Sequence, residues 1–210
     1  VDVTPFVAFK NLFFVGDATA AGWNTNNNNQ ALYRDASNTN KFYFTGKFGT
    51  SMFKLLEILG DNTWQPQWGL KGGVVANSDG GEPEPFTVST AGYYTFEVDI
   101  LAKTYSITPY SGAMTTYSSI DIAGNLNGWS GSTVLTQSSF DPHQWFIKDL
   151  VVSSNGEAKF RANGTWDINW GAAAEFSGQG TQGGANIPLN AGTYDVYFND
   201  IDGRYVFVKK

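Results

Sequence analysis

The chain has no cysteine and one histidine, His143, among its 210 residues. The first absence excludes a disulfide scaffold, thiolate zinc sites and a cysteine nucleophile. The second leaves no His-based metal motif, and Asp141-Pro142-His143-Gln144 reads as a turn. No apolar stretch approaches the roughly 18–20 residues that span a bilayer. Basic clusters are missing too. With a formal net charge of −6, the chain is a poor match for nucleic acid or an anionic membrane face. Val1-Asp2-Val3-Thr4-Pro5 lacks the basic start and apolar run of a signal peptide. Residues 1–10 are therefore expected to be a leader remnant, with any address or anchor upstream.

Aromatic residues, by contrast, reach 16%, with seven tryptophans, and glycine counts 24. High aromatic and glycine content with low charge suits short strands joined by tight turns.

The chain also repeats itself. Ala91-Gly92-Tyr93-Tyr94-Thr95-Phe96-Glu97-Val98 lies 100 residues before Ala191-Gly192-Thr193-Tyr194-Asp195-Val196-Tyr197-Phe198. Each stretch alternates, breaks at a turn and alternates again, which predicts a closing hairpin in each unit. Asp202-Gly203 is a favourable turn pair. Leu12 to Asp17, leading to Gly22-Trp23, matches Ile120 to Asn125, leading to Gly128-Trp129. Thr-Trp-x-x-x-Trp-Gly occurs at Thr63 to Gly69 and at Thr165 to Gly171.

These landmarks predict a leader at 1–10, one module at 11–109, a linker at 110–117 and a second module at 118–210. Strands are expected at 12–16, 41–48, 52–58, 86–89, 93–99 and 104–108. The second unit repeats them at 119–124, 144–152, 157–162, 186–189, 193–199 and 204–208. The fold class is all-β, with two tandem antiparallel β-sandwiches of immunoglobulin-like, carbohydrate-binding-module type. The short linker predicts a restricted mutual orientation.

Trp23, Trp64, Trp129 and Trp166 sit in polar, glycine-rich loops and are expected to be exposed. Trp68, Trp170 and Trp145 are expected in the core. An exposed ring suits a sugar because a pyranose presents apolar C–H faces with its hydroxyls around the rim. Lys54 and Lys159 recur beside the same tryptophans, and strand alternation puts Lys159 and Arg161 on one face. Asn163 and Asp167 are weaker polar candidates.

Catalytic constellations are poor. There is no Gly-x-Ser-x-Gly elbow. Asp17, Glu57 and Asp61 offer acids in the first unit, but Asn125 and Ala162 stand at matching positions of the second, so no glycosidase pair recurs. Asp200-Ile201-Asp202-Gly203 falls short of an EF-hand loop. Asn163-Gly164-Thr165 is a formal glycosylation sequon. The expectation is a binding protein and not an enzyme, with no metal or cofactor. A glycoside hydrolase accessory domain, a binder of another glycan such as β-glucan, and a structural surface domain remain open.

Phe14 to Trp23, Phe53-Lys54-Leu55-Leu56, Trp64 to Gly69, Lys159 to Asn163 and Trp166 to Gly171 resemble the SusE/SusF group, outer-membrane starch-binding lipoproteins of Bacteroidetes. The resemblance covers nearly the whole chain, as two consecutive modules. It implies α-glucan held by Trp23, Lys54 and Trp64 in the first module, and by Trp129, Lys159, Trp166 and Arg161 in the second. It also implies a lipid-anchored place at the outer-membrane surface, with polysaccharide and an outer-membrane transporter as partners. The family's N-terminal immunoglobulin-like domain and lipidated Cys are missing here, and the first unit carries an insertion near Ile58-Leu59-Gly60.

Overall fold

The computed structural model describes residues 9–210, and its regular structure is almost entirely strand. Most of the expected leader, residues 1–8, lies outside the described residues. The first half contributes β1 (Phe13–Val15), β2 (Tyr33–Arg34), β3 (Lys41–Phe48), β4 (Ser51–Leu56), β5 (Gln67–Lys71), β6 (Val74–Asn77), β7 (Phe86–Val88), β8 (Gly92–Asp99) and β9 (Thr104–Pro109). The second half contributes β10 (Ile120–Gly124), β11 (Thr133–Val134), β12 (Thr136–Gln137), β13 (Gln144–Val152), β14 (Gly156–Ala162) and β15 (Asn169–Gly171). It continues with β16 (Ser177–Gln179), β17 (Thr181–Gln182), β18 (Ile187–Leu189), β19 (Gly192–Asn199) and β20 (Arg204–Lys209).

β1-β4-β5-β6 form one antiparallel sheet, with β7 also on β4, and β2-β3-β8-β9 form another. In the second half β11-β10-β14-β15-β17, with β18 on β14, pack on β12-β13-β19-β20-β16. This is the expected all-β sandwich architecture. Every expected strand is present, but β5, β6 and several shorter strands had not been expected. β5 is buried from Gln67 to Leu70 and so shows no polar alternation. β2, β11, β12 and β17 span two residues each, too short for a period to register.

Alternation explains the core. Phe42, Phe44 and Phe48 of β3 meet Phe53 and Leu55 of β4 across the first sandwich. Phe14 sits among them, edge-on to Phe44, Phe48 and Phe53 at 4.9, 5.5 and 5.3 Å between ring centroids. Each fully buried ring of this kind contributes roughly 1.5–3 kcal/mol through area alone. Gly16, just after β1, and Gly124, at the end of β10, are under the same constraint. A Cβ there would meet Met52 O at 2.4 Å or Glu157 O at 2.1 Å. The close backbone approach lets the chain leave each sheet into the loop that carries Trp23 or Trp129.

The outer face of β13-β19-β20 is covered by the first half. Tyr197 and Val206 join the first core, and Phe13 lies 6.5 Å from Tyr197. Polar groups in this seam are paired. Tyr33 Oη donates to Gln144 Oε1 at 2.8 Å, and Gln144 Nε2 and Asn199 Nδ2 both donate to Thr45 O, at 3.0 and 2.7 Å. Asp141 Oδ2 accepts from Lys47 N at 2.9 Å. Buried partners on both sides join the two halves through packing as well as through residues 110–117.

Candidate functional site

Residues directly opposite in antiparallel strands share a face. Phe14, Leu55 and Trp68 align across β1, β4 and β5, as Ile122, Phe160 and Trp170 do across β10, β14 and β15. Both rows face the core, so Trp68 and Trp170 are buried. Trp145 is buried as well, its Nε1 donating to Asp200 Oδ2 at 2.7 Å. The alternate row faces outward: Lys54, Leu56 and Gln67 in the first half, and Lys159, Arg161 and Asn169 in the second. Loops bring two tryptophans over each of these outer faces.

In the first half the asparagine-rich loop is built by its own amides. Asn29, fully buried, donates from Nδ2 to Phe14 O and to Asn24 O, both at 2.8 Å. This fixes the loop in which Trp23 stands 39% exposed. A second loop carries the half-buried Trp64 and is clasped to the first. Thr25 Oγ1 donates to Gly60 O at 2.6 Å, and Asn26 Nδ2 to Asp61 Oδ1 at 2.8 Å. The two rings flank a cleft of about 450 Å³ lined by Trp23, Lys54, Trp64, Gln65, Gln67 and Glu82. A further cleft of about 340 Å³ on the Asn24 and Asn62 side shares both rings. The stem of Lys54 is buried, and its Nζ lies 2.9 Å from Glu82 Oε1. The hydrogen bond and charge of Lys54 hold the Glu82 carboxyl below its usual value.

The second half closes its rings together. Trp129 adopts φ +64°, and its N donates to Gly124 O at 2.9 Å. Its ring lies 6.0 Å from that of Trp166, tilted by 34°. Trp166 is 42% exposed, but Trp129, like Trp64, is half-buried and not exposed as its glycine-rich loop suggested, because its ring packs against Trp166. Beneath it lies the Arg161 guanidinium, 4.5 Å from the ring centroid. Arg161 is buried and held bidentate by Asp121, at 2.8 Å from Nε and 3.0 Å from Nη2, and Nη2 also reaches Gly131 O at 2.9 Å. Lys159 Nζ donates to Asn169 Oδ1 at 3.2 Å, while Asn169 Nδ2 donates to Trp166 O at 2.9 Å. Asn127 Nδ2 donates to Ile122 O at 2.9 Å, the counterpart of the Asn29 bond to Phe14 O.

Trp23, Lys54 and Trp64 thus come together, as do Trp129, Lys159, Arg161 and Trp166. The weaker candidates serve locally. Asn163 Oδ1 accepts from Ser118 N at 3.0 Å, and Asp167 lies by Thr165 Oγ1 at 3.4 Å. The acids Glu57 and Asp61 are engaged by Trp68 Nε1 and by Asn26, both at 2.8 Å. His143 lies in a turn and is buried, with Nδ1 2.7 Å from Asp200 Oδ1. Burial pushes the Asp200 carboxyl up to about 6, against the lowering by Trp145 and His143.

Among the described residues no group of three or more His, Asp or Glu is placed to hold a metal ion. No described helix is long and apolar enough to cross a membrane. A cavity of about 400 Å³ between Phe9, Arg34, Phe176 and Lys209 shares no residue with either tryptophan pair.

The sequence did not mark Gln67, Glu82, Asp121, Asn169, Asn29 or Asn127 as site residues. Gln67 and Asn169 had a signal, an amide before the second tryptophan of both repeats. Glu82 had none, because its loop lies 28 residues from Lys54 along the chain.

No protein-family model matches the sequence, and no curated protein matches it. Among solved structures the chain is similar to SusF from Bacteroides thetaiotaomicron, at 20% identity and a TM-score of 0.38. The match covers 98% of this chain and 50% of that one, so the chain spans about half the length of SusF.

Proposed function

We propose that the chain is a non-catalytic polysaccharide-binding protein with one glycan site in each module, 11–109 and 118–210, joined by 110–117. One observation carries this reading. Two tryptophans stand over the outer sheet face of each half, beside a lysine and an amide that recur in register. Indole faces stack on sugar C–H faces, and the side chains at the edge fix the hydroxyls. The motif resemblance to the SusE/SusF group favours starch or another α-glucan, captured at the outer-membrane surface for uptake. Trp23, Lys54 and Trp64 form the first site. Trp129, Trp166 and Lys159 form the second, with Arg161 holding the Trp166 ring from below.

A shallow site that stacks a few sugar rings reaches roughly millimolar to high-micromolar affinity. Two such sites on one polymer gain on the order of 10²-fold through effective concentration, while each site still releases quickly. Affinity electrophoresis in amylopectin gels tests this. Trp23→Ala and Trp129→Ala should each weaken retardation, and the double variant should nearly abolish it. Undiminished retardation of the double variant removes the site assignment. Reducing ends released from a glycan panel by the pure protein would contradict the non-catalytic reading.

A further inference from the structure

The two outer faces differ in how their lysine is paired. In the second half Lys159 Nζ donates to Asn169 Oδ1 at 3.2 Å. Lys54 and Gln67 stand in the same diagonal register on β4 and β5. There Lys54 Nζ turns instead to Glu82 Oε1, at 2.9 Å. Gln67 is 3% exposed, and among the described residues its Oε1 is the one buried side-chain polar atom without a hydrogen-bond partner. Both residues line the first cleft. A buried acceptor without a donor is unfavourable, and because Oε1 is closed to solvent while the cleft is empty, a hydroxyl satisfies it once the Gln67 amide turns into the cleft. Glu82, for its part, has a side chain 78% exposed, so little holds it in place besides Lys54. An ion pair with so exposed a partner is weak.

We propose that Glu82 is a built-in competitor that sets the affinity of the first site by occupying Lys54 while the cleft is empty. This rests on the glycan-binding reading above. A sugar displaces the carboxylate: one hydroxyl oxygen accepts from Lys54 Nζ, and one hydroxyl donates to Gln67 Oε1. Salt screens the Lys54–Glu82 pair and so favours the exchange. A neutral glycan therefore binds the first site more tightly as ionic strength rises. Lys159 rests on an amide, and the second site has no such response.

The test uses the full chain carrying Trp129→Ala and Trp166→Ala, which isolates the first site. It is titrated calorimetrically at low and high sodium chloride with maltoheptaose, or with the best ligand of the intact chain on a glycan array. Glu82→Ala and Glu82→Gln should each tighten binding by about two- to fivefold and remove the salt response. Gln67→Leu should weaken binding about fivefold with its thermal midpoint unchanged or raised. Unchanged or weaker binding by both Glu82 variants overturns the proposal, provided Trp23→Ala still removes binding; the glycan reading then stands. An intact chain that binds no glycan on the array overturns both.

Discussion

The two halves carry the same sheet order around their tryptophans and differ in what supports them. Where the second half pairs Asp121 with Arg161 under Trp166, the first half has Phe13 opposite Leu56. Where the second half has Trp145 bonded to Asp200, the first has Phe42 and Ile100 in the same register. Trp129 leans on Trp166 at 6.0 Å, whereas Trp23 and Trp64 flank an open cleft of about 450 Å³. One scaffold therefore presents its rings in two ways. In the second half a buried ion pair lies beneath Trp166, on which Trp129 leans, and in the first half clasped loops hold the rings from the side. A ring already held loses less freedom when a ligand arrives. A duplicated backbone thus constrains where the rings stand but leaves their support free to diverge.

The strongest way to break this comparison is through the buried ion pair. Asp121→Ala leaves the Arg161 guanidinium buried without its carboxylate and should cost about 3–5 kcal/mol of stability in chemical denaturation. The double change Asp121→Phe with Arg161→Leu copies the first half and should recover most of that loss. A loss below about 1 kcal/mol for the single variant would show that the pair behaves as an exposed one.

The second test uses Asp200, for which the first half has Ile100. Its folded value, near 6, lies above the usual carboxylate value of 3.8. The native state therefore binds more protons than the unfolded state between those values, and stability rises as pH falls through about 6. Above that window the charged carboxylate is the less favourable native form. Wild type should gain stability relative to Asp200→Asn between neutral pH and pH about 5, as read from paired thermal melts. A flat difference would mean that His143 and Trp145 compensate the burial fully.

The smallest effect concerns loop geometry. Asn62 has φ +54°, and Gly164 stands at the matching place with φ +69°. Asn62→Gly should stay within about 0.5 kcal/mol of wild type, since Asn tolerates the left-handed region. A larger change in thermal midpoint would mean that the Asn62 side chain supports the loop that carries Trp64.

Much of the candidate site's placement could be read from the chain because period and repetition report which face a residue takes. Lys54 and Lys159 lie on the outer face because Phe53, Leu55 and Phe160 take the inner one. Trp23 and Trp166 stand exposed because their polar, glycine-rich neighbours offer little core to enter. Arg161 shows where such reading stops. Alternation placed it on the outer face, but its guanidinium is buried against Asp121, 40 residues earlier. Glu82 and Gln67 likewise acquire meaning only through the same cleft.

By itself, then, the sequence determined the all-β class, the repeat and the exposure of Trp23 and Trp166, since strand periodicity and turn chemistry act over a few neighbouring residues. Tertiary structure alone decided that Arg161 is buried, that Lys54 turns to Glu82, and that the outer face of β19 is covered by the first half. Each of these depends on groups far apart in the chain, whose pairing is fixed by the packing of whole sheets.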